Sequence, residues 1–502
     1  MAFNQIVKTS QQPSIKLITL SDYDTSAEGQ EKGLLRHRIS SPDSSQSIGA
    51  NRPFIKIGGQ IISQIDSLVI DETSIIPKLT LIFTDVLGEF SGNDFPKRNL
   101  MASVYIAVSN EKFKPVRADY LITSIKTIPS NSVNSKLSLS NNMMYIVKGE
   151  LFVPRLYNNV SKSYPELTSA AAIQKVCTEL GLGYAQNEFT PSDTMTWINI
   201  NTSPLNFMRE ITNYAYRDDK SFFSGFISKE LIFNFIEVNT QLLDIEPEIT
   251  FPIAAEPLRS NFSQTQKDST EKSEVNDMAM VNFLTNLRTY QGKPNHIVEA
   301  NLISNQGDIL KSDGYLKKIY YYDHFEPVEV KDGKLNKFKE FYTAPINTDG
   351  ADETTMLIPD DEGLAEIGNK KWMNINYGNT HEHWNAARVF NTHNLKELEK
   401  MQLRIVTKGI NYQVIRGSSI PVLLTLILAD SLRKEVDLEN PREIKERENL
   451  SDETIDTQLS GRYYVKGAKY HYDPNQSTPF STELFLARRE WRPSKITFTA
   501  NA

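Results

Sequence analysis

The sequence predicts a β-rich α+β protein in which two antiparallel β regions flank an inserted α+β domain. Short β-branched and aromatic runs separated by turn residues recur from Phe54 to about Pro154. Two capped amphipathic helices and a hairpin signal then follow. Alternating runs return near the C-terminus, the last two joined by Asp473-Pro474-Asn475.

The first 50 residues are polar and weakly periodic, and Ile39 to Pro53 is rich in Ser, Asp, Asn and Gly, so 1–53 reads as a flexible N-terminal arm. Strand candidates follow at Leu79–Thr84, Ser103–Val108, Asp119–Ile125 and Met144–Val153, giving a first antiparallel sandwich or barrel over 54–160. In the insertion at 161–245, Ser169 is the expected cap of a helix through Leu180. Ile173, Val176, Cys177 and Leu180 share one face, and Gly181 supplies a left-handed stop. Ser203 and Pro204 start a second helix that turns Phe207, Met208, Ile211 and Ala215 inward. Ser221–Ile227 and Leu231–Val238 form a hairpin closed by Ser228-Lys229-Glu230. Residues 246–290 read as linker and loop. Residues 291–395 read as a mixed region completing the insertion and the second β domain, with strands at Ile297–Ala300 and Tyr315–Tyr322 and a helix over Asn385–Leu398. The second β domain spans 396–490, with strands at Gln402–Val406, Asn411–Ile415, Ile420–Leu428, Tyr463–Tyr472 and Ser481–Ala487. A charged excursion interrupts it at 430–458, and 491–502 is a tail.

Composition narrows the function classes. The chain has 502 residues, enough for about three domains, and its 39% hydrophobic and 10% aromatic content supports real cores. No apolar run approaches the ~18 residues that cross a bilayer, and the N-terminus lacks a secretory pattern, so a protein made in the cytoplasm and not inserted in a membrane is expected. Cys177 is the single cysteine, so no intrachain disulfide can form. A net charge of -7 argues against a nucleic-acid-coating surface.

Chemical motifs are sparse. Phosphate loops, His-Glu-x-x-His pairs and nucleophile elbows are missing from the sequence, and Arg416-Gly417-Ser418-Ser419 reads as a turn. The sharpest metal candidate is His381-Glu382-His383 with His393 ten residues on. Zinc needs three or four ligands, and the plainer reading is a polar loop entering a helix. Cys177 reads as a buried thiol on an apolar helix face. Asp218-Asp219 and Asp360-Asp361-Glu362 lack the separated geometry of glycosidase carboxylates. Phe222-Phe223 and Tyr320-Tyr321-Tyr322 read as packing residues. The expected catalytic, cofactor and metal sets are therefore empty.

A resemblance supplies what the motifs do not. The blocks Thr168 to Lys175, Glu179 to Ala185, Asp193 to Asn199, Asn206 to Thr212 and Asp219 to Ile227 resemble tail hub (baseplate hub) proteins of large tailed bacteriophages, related to the hub part of type VI secretion spike proteins. So do Asp313 to Asp323, Gly461 to Gly467 and Thr482 to Leu486. The resemblance covers 54–430 and 460–490. It implies two tail-tube-like β-barrel domains per chain and a non-enzymatic homotrimeric ring. The resemblance also implies a tail tube protein above the ring, a central spike below and other baseplate proteins around it. It further implies a virion protein assembled in the host cytoplasm, adapting six-fold to three-fold symmetry while the genome passes through the lumen without specific binding. Two rivals stay open. One is a tail-associated peptidoglycan-degrading enzyme, which needs a cleft with a perturbed carboxylate or a metal. The other is a peripheral wedge or receptor-binding protein, distinguished by copy number.

Overall fold

The computed structural model describes residues 8–11, 53–58, 60–62, 64–85, 88, 90, 100–106, 116–129, 143–218, 220–243, 248–252, 280–281, 297–305, 318–322, 329–331, 334–336, 338–342, 371–375, 380–408, 416–424, 456, 458–476, 479–488 and 495–499. In chain order the first strands are β1 (Lys8–Gln11), β2 (Phe54–Ile57), β3 (Gln60–Ile61), β4 (Ile65–Asp71), β5 (Lys78–Asp85), β6 (Met101–Ile106), β7 (Val116–Pro129) and β8 (Met143–Leu151). The central unit contains β9 (Val160–Leu167), α1 (Ser169–Leu180), β10 (Gly183–Gln186), β11 (Met195–Thr202), α2 (Pro204–Tyr214), β12 (Phe223–Ile227), β13 (Ile232–Glu237) and α3 (Val238–Leu243). Then come β14 (Glu248–Pro252), β15 (Met280–Val281), β16 (Ile297–Ser304), β17 (Lys318–Tyr322), β18 (Glu329–Lys331), β19 (Lys334–Asn336), β20 (Phe338–Tyr342) and β21 (Lys371–Ile375). The chain finishes with α4 (Trp384–Glu397), β22 (Met401–Lys408), β23 (Ser419–Leu423), β24 (Gly461–Tyr472), β25 (Phe480–Ala487) and β26 (Lys495–Thr499).

The two β regions meet in a single 13-stranded sheet, ordered β16-β22-β25-β24-β4-β5-β8-β7-β6-β2-β3, with β23 and β15 branching from β24. The order is linear, and among the described strands no barrel closes. The join is β24 against β4, antiparallel, with Lys469 opposite Asp71 and Tyr472 opposite Leu68. Alternation makes the sheet two-faced. One face buries Leu403, Ile405, Leu484, Leu486, Tyr470, Leu68, Ile70, Leu79, Leu81 and Val147 in a common core.

In the central unit, local sequence sets the ends of each helix. Thr168, rather than the expected Ser169, caps α1: its extended backbone lets its hydroxyl accept from Ala171 N at 3.3 Å. Ser169 is the first helical residue, and its N–H donates to buried Asp193 at 2.9 Å. The second Asp193 oxygen accepts from Tyr216 N at 2.9 Å, so one carboxylate ties the start of α1 to the exit of α2. Gly181, at φ 75°, ends α1 in the left-handed conformation, and Leu182 N–H turns back to Cys177 O at 2.9 Å. Ser203 and Pro204 begin α2 as expected.

The expected hairpin β12–β13 is extended by β10 and β1, which the sequence did not signal, into the four-stranded sheet β1-β10-β13-β12, and the ribbon β9–β11 is a second unsignalled element. The arm expected over 1–53 thus includes a described strand, because the open edge of β10 offers backbone groups that an extended β1 satisfies. The tail over 491–502 likewise contains β26, which runs parallel to β14. Asn411–Ile415, 343–370 and nearly all of 430–458 lie outside the described residues.

Trp197 and Phe207 are core residues, 1% and 2% exposed, and the Trp197 indole donates to Leu167 O at 2.9 Å. Trp197→Ala is expected to cost about 3–5 kcal/mol in chemical denaturation, from lost burial plus a cavity. A cost below ~1 kcal/mol would contradict the packing described here.

Candidate functional site

The chemistry-bearing groups concentrate where three parts of the chain meet. The β12–β13 turn, which the sequence presents as polar punctuation, drives Lys229 inward against the β4–β24 join. Its side chain is 7% exposed, as is that of Glu72 from the end of β4. The Lys229 ammonium lies 3.6 Å from Glu72 and 3.1 Å from Glu230, and 5.1 Å from the centre of the Tyr470 ring of β24. The Tyr470 hydroxyl donates to Glu72 at 3.4 Å. Burial outweighs the pull of Lys229 and raises the Glu72 carboxyl above its ordinary range. Burial alone would lower the Lys229 ammonium, but Glu230 and Glu72 together hold it well above its usual value. This lysine is a fixed cation.

Arg416 completes the seam. Read from sequence as part of a mere turn, it donates to Glu72 O at 3.0 Å and Ser74 O at 2.6 Å, and its guanidinium sits 4.3 Å over Phe226. Gly417 follows at φ 88°, and a Cβ there would lie 3.2 Å from Ile236. Beside these polar groups, Phe222, Phe226, Ile236 and Val238 pack against Tyr464 and Ala487 of the large sheet. The turn and Glu72 are far apart in sequence, so no local pattern could have exposed the pair.

The second feature is the polar face of the large sheet. Arg404 on β22 pairs with Glu299 on β16 at 3.0 Å and with Glu483 on β25. His471 on β24 donates to Glu483 at 3.1 Å, and neighbouring Lys469 lies 3.9 Å from Asp71 on β4. Asp71 stands opposite Lys78 on β5, and Lys78 opposite Glu150 on β8. The Glu150 carboxylate accepts the Tyr157 hydroxyl at 2.8 Å. Charges thus alternate across seven strands. Burial would raise the Glu483 carboxyl, but the hydrogen bonds from Arg404 and His471 bring it below its ordinary value.

The third feature is the dock of α4 on α2. Tyr214 and Trp384 stack with centroids 3.5 Å apart. Asn391 is buried, and its amide nitrogen donates to Thr212 O at 3.2 Å, Asn213 O at 2.7 Å and Ala215 O at 3.0 Å. Its oxygen accepts from Phe223 N at 3.0 Å. The carbonyls orphaned at the end of α2 are therefore satisfied by a side chain from elsewhere in the chain.

Other candidates resolve simply. His381 is 6% exposed and directs Nε2 to Tyr214 O at 2.9 Å; a carbonyl only accepts, so Nε2 carries the proton. Burial lowers its pKa to about 4. His383 stacks on Tyr216 at 4.0 Å, and the His393 side chain lies outside the described residues. Among the described residues no three metal-ligating side chains come together. Cys177 is buried, and that burial pushes its thiol far up. Asp218 pairs with Arg217 at 3.3 Å. Asp219, 360–362 and the side chains of Tyr320 to Tyr322 lie outside the described residues, whereas Phe222 and Phe223 are fully buried. Among the described residues no helix is long and apolar enough to cross a membrane.

No protein-family profile and no curated protein matches the chain. Its structural neighbours are phage tail proteins and type VI secretion components. It is similar to the tail protein from Neisseria meningitidis MC58 at 9% identity, covering 90% of this chain and 100% of that one, with a TM-score of 0.44. It is also similar to the prophage MuSo2 43 kDa tail protein from Shewanella oneidensis at 9% identity, with coverages of 87% and 98% and a TM-score of 0.45. A third neighbour is an E. coli component of the type VI secretion system, described as structurally similar to two bacteriophage T4 tail proteins. There the identity is 9%, the coverages are 89% and 79%, and the TM-score is 0.39.

Lys229→Met leaves Glu72 buried without its cation and is expected to cost about 3–5 kcal/mol in urea unfolding. Adding Glu72→Gln should recover at least half of that. A double variant as unstable as the sum of the two singles would show that the pair does not interact.

Proposed function

We propose that this chain is a structural tail hub: three copies form a ring that continues a tail tube above and seats a central spike below. The reading rests on the resemblance of residues 168–227 and 461–486 to tail hub proteins, and on one geometric observation. A single sheet holds a core on one face and a self-neutralised ladder of charges on the other, and its terminal strand is left with apolar side chains in solvent. On β16, Val298 and Leu302 are 54% and 44% exposed. Leu302 stands opposite Leu403, so the row of core residues runs off the sheet at this strand. An edge that has no partner among the described strands and an exposed apolar row is a surface that a second copy buries, and head-to-tail repetition of one such contact gives a ring when its rotation closes.

In this reading each chain contributes two tube-like barrel modules, β2 to β8 and β16 to β25, so three chains present six modules to the tube and three-fold symmetry to the spike. The ladder from Glu299 to Glu150 faces the lumen. Acids and bases that neutralise one another in pairs give a polyanion neither an attractive stripe nor an apolar one, and the genome slides past. The α+β module lies outside, available to other baseplate proteins. No bond chemistry is involved, and the protein resides in the virion after assembly in the host cytoplasm.

Native mass spectrometry and electron microscopy of the purified chain test this. The expected result is a trimer enclosing a pore, and Val298→Asp combined with Leu302→Asp should yield a folded monomer with a nearly unchanged Tm, both side chains being exposed. A wild-type monomer that stays poreless with tube and spike proteins added would overturn the assignment.

A further inference from the structure

The dock of α4 on α2 contains a titratable group that no part of the hub reading uses. His381 sits at the base of α4, enclosed by Trp197 of β11, Tyr216 beyond α2, and Trp384 of α4 itself, at ring separations of 6.2, 6.5 and 5.7 Å. Its Nε2–H is committed to Tyr214 O. Its other ring nitrogen, Nδ1, is buried and has no hydrogen-bonding partner among the described residues. In the neutral imidazole that nitrogen is only a lone pair facing aromatic surface. In the imidazolium it becomes a second donor with no acceptor.

The surroundings offer a second proton nothing. His383, next but one in the chain, adds repulsion when charged. Arg388, one turn into α4, places its guanidinium 5.7 Å from the Tyr214 ring and donates to the Tyr214 hydroxyl at 3.0 Å. Tyr214 and Tyr216 present neutral rings, and the Trp197 indole proton is already given to Leu167 O. The carboxylate nearest in sequence, Glu382, is exposed, as is Glu210 on α2, whose charge is drawn to Arg388. Among the described residues the charge that acts on this imidazole is that of His383, and the buried Asp193 carboxylate near Tyr216 is already committed to the Ser169 and Tyr216 N–H groups.

We propose that His381 is an acid-sensitive clasp: its neutral ring fastens α4 to α2, and protonation of Nδ1 releases the helix while the rest of the α+β module stays folded. The released piece is defined by the contacts that depend on the clasp. They are the Tyr214–Trp384 stack, the Arg388 bond and the Asn391 bonds to the end of α2. The direction follows from which form fits. The neutral ring is the native one, so the contribution to docking is complete above the ordinary histidine value near 6.5 and disappears as pH falls toward 4.

Hydrogen exchange of the full chain, corrected for intrinsic chemistry, tests this between pH 7 and pH 4. Protection of the α4 amides should fall on the order of 100-fold, ahead of α1 and β10. His381→Gln, whose amide donates to Tyr214 O but cannot be protonated, should hold α4 protection flat. Loss of α4 only together with the whole module, or the same pH profile in His381→Gln, overturns the proposal. Should that variant not fold, the seven histidine rings of the labelled wild-type chain decide the matter by NMR titration. One ring that stays neutral until about pH 4 is expected. Seven rings all titrating near 6.5 would overturn it.

Discussion

The architecture depends on one strand pairing, β24 against β4. It brings Tyr470 within hydrogen-bonding distance of Glu72 across a sequence separation of 398 residues. Pairings that close such long loops carry a large entropic cost that local contacts do not, so the join needs strong reinforcement from the groups around it. That reinforcement is dense. Core side chains from both regions interdigitate beneath the join, and above it Lys469 faces Asp71. A bulge between Val465 and Gly467 sets the path of β24 just before it reaches β4. A Cβ on Gly467 would come within 2.9 Å of Thr73, so the absence of a side chain permits the close approach.

The seam explains why an ion pair is buried in an otherwise apolar junction. Apolar surfaces attract without direction, and the cluster of Phe222, Phe226, Ile236 and Tyr464 tolerates small slides with little penalty. A buried lysine does not. If the β12–β13 turn docks one residue out of place, Lys229 loses Glu72 while remaining desolvated, at a cost of several kcal/mol. Arg416 adds a second directional constraint through its two carbonyl acceptors. Burial of these charges costs stability relative to a greasy seam, and in exchange the module has one orientation.

What was legible in the sequence was local. The start and stop of α1, the start of α2, the hairpin and its turn, and the β24–β25 pair all follow from residues within a few positions of each other. Even there the cap of α1 moved by one residue, because Thr168 and Ser169 are both competent and only the extended backbone at Thr168 selects between them. The short strands β9 and β10 carried no readable alternation. The former holds a proline, Pro165, and the latter has only four residues. The sites were less legible still. Lys229 lies in a Ser-Lys-Glu turn, Arg416 in an Arg-Gly-Ser turn, and Asn391 in an unremarkable polar stretch of helix. Each acquires its role from a partner more than 150 residues away, and the sequence carries no period at that range.

The same distance argument bears on how the α+β module is completed. Between β9 and α3 it has a sheet, a ribbon and two helices, yet the end of α2 lacks a glycine stop and has its carbonyls facing Asn391. A helix end without partners is costly when buried, so the module as encoded in that stretch is unfinished until α4 returns from far down the chain. The chain segment between α3 and α4 contributes β16 to the large sheet before it comes back. Docking of α4 therefore couples the module to the sheet through the covalent chain as well as through the Lys229 seam. Two fastenings of different chemistry follow: a lysine held as a cation by Glu72 and Glu230, and a histidine whose neutral form alone fits. In the proposed clasp, acid acts first on the attachment made by α4, where the neutral ring alone fits.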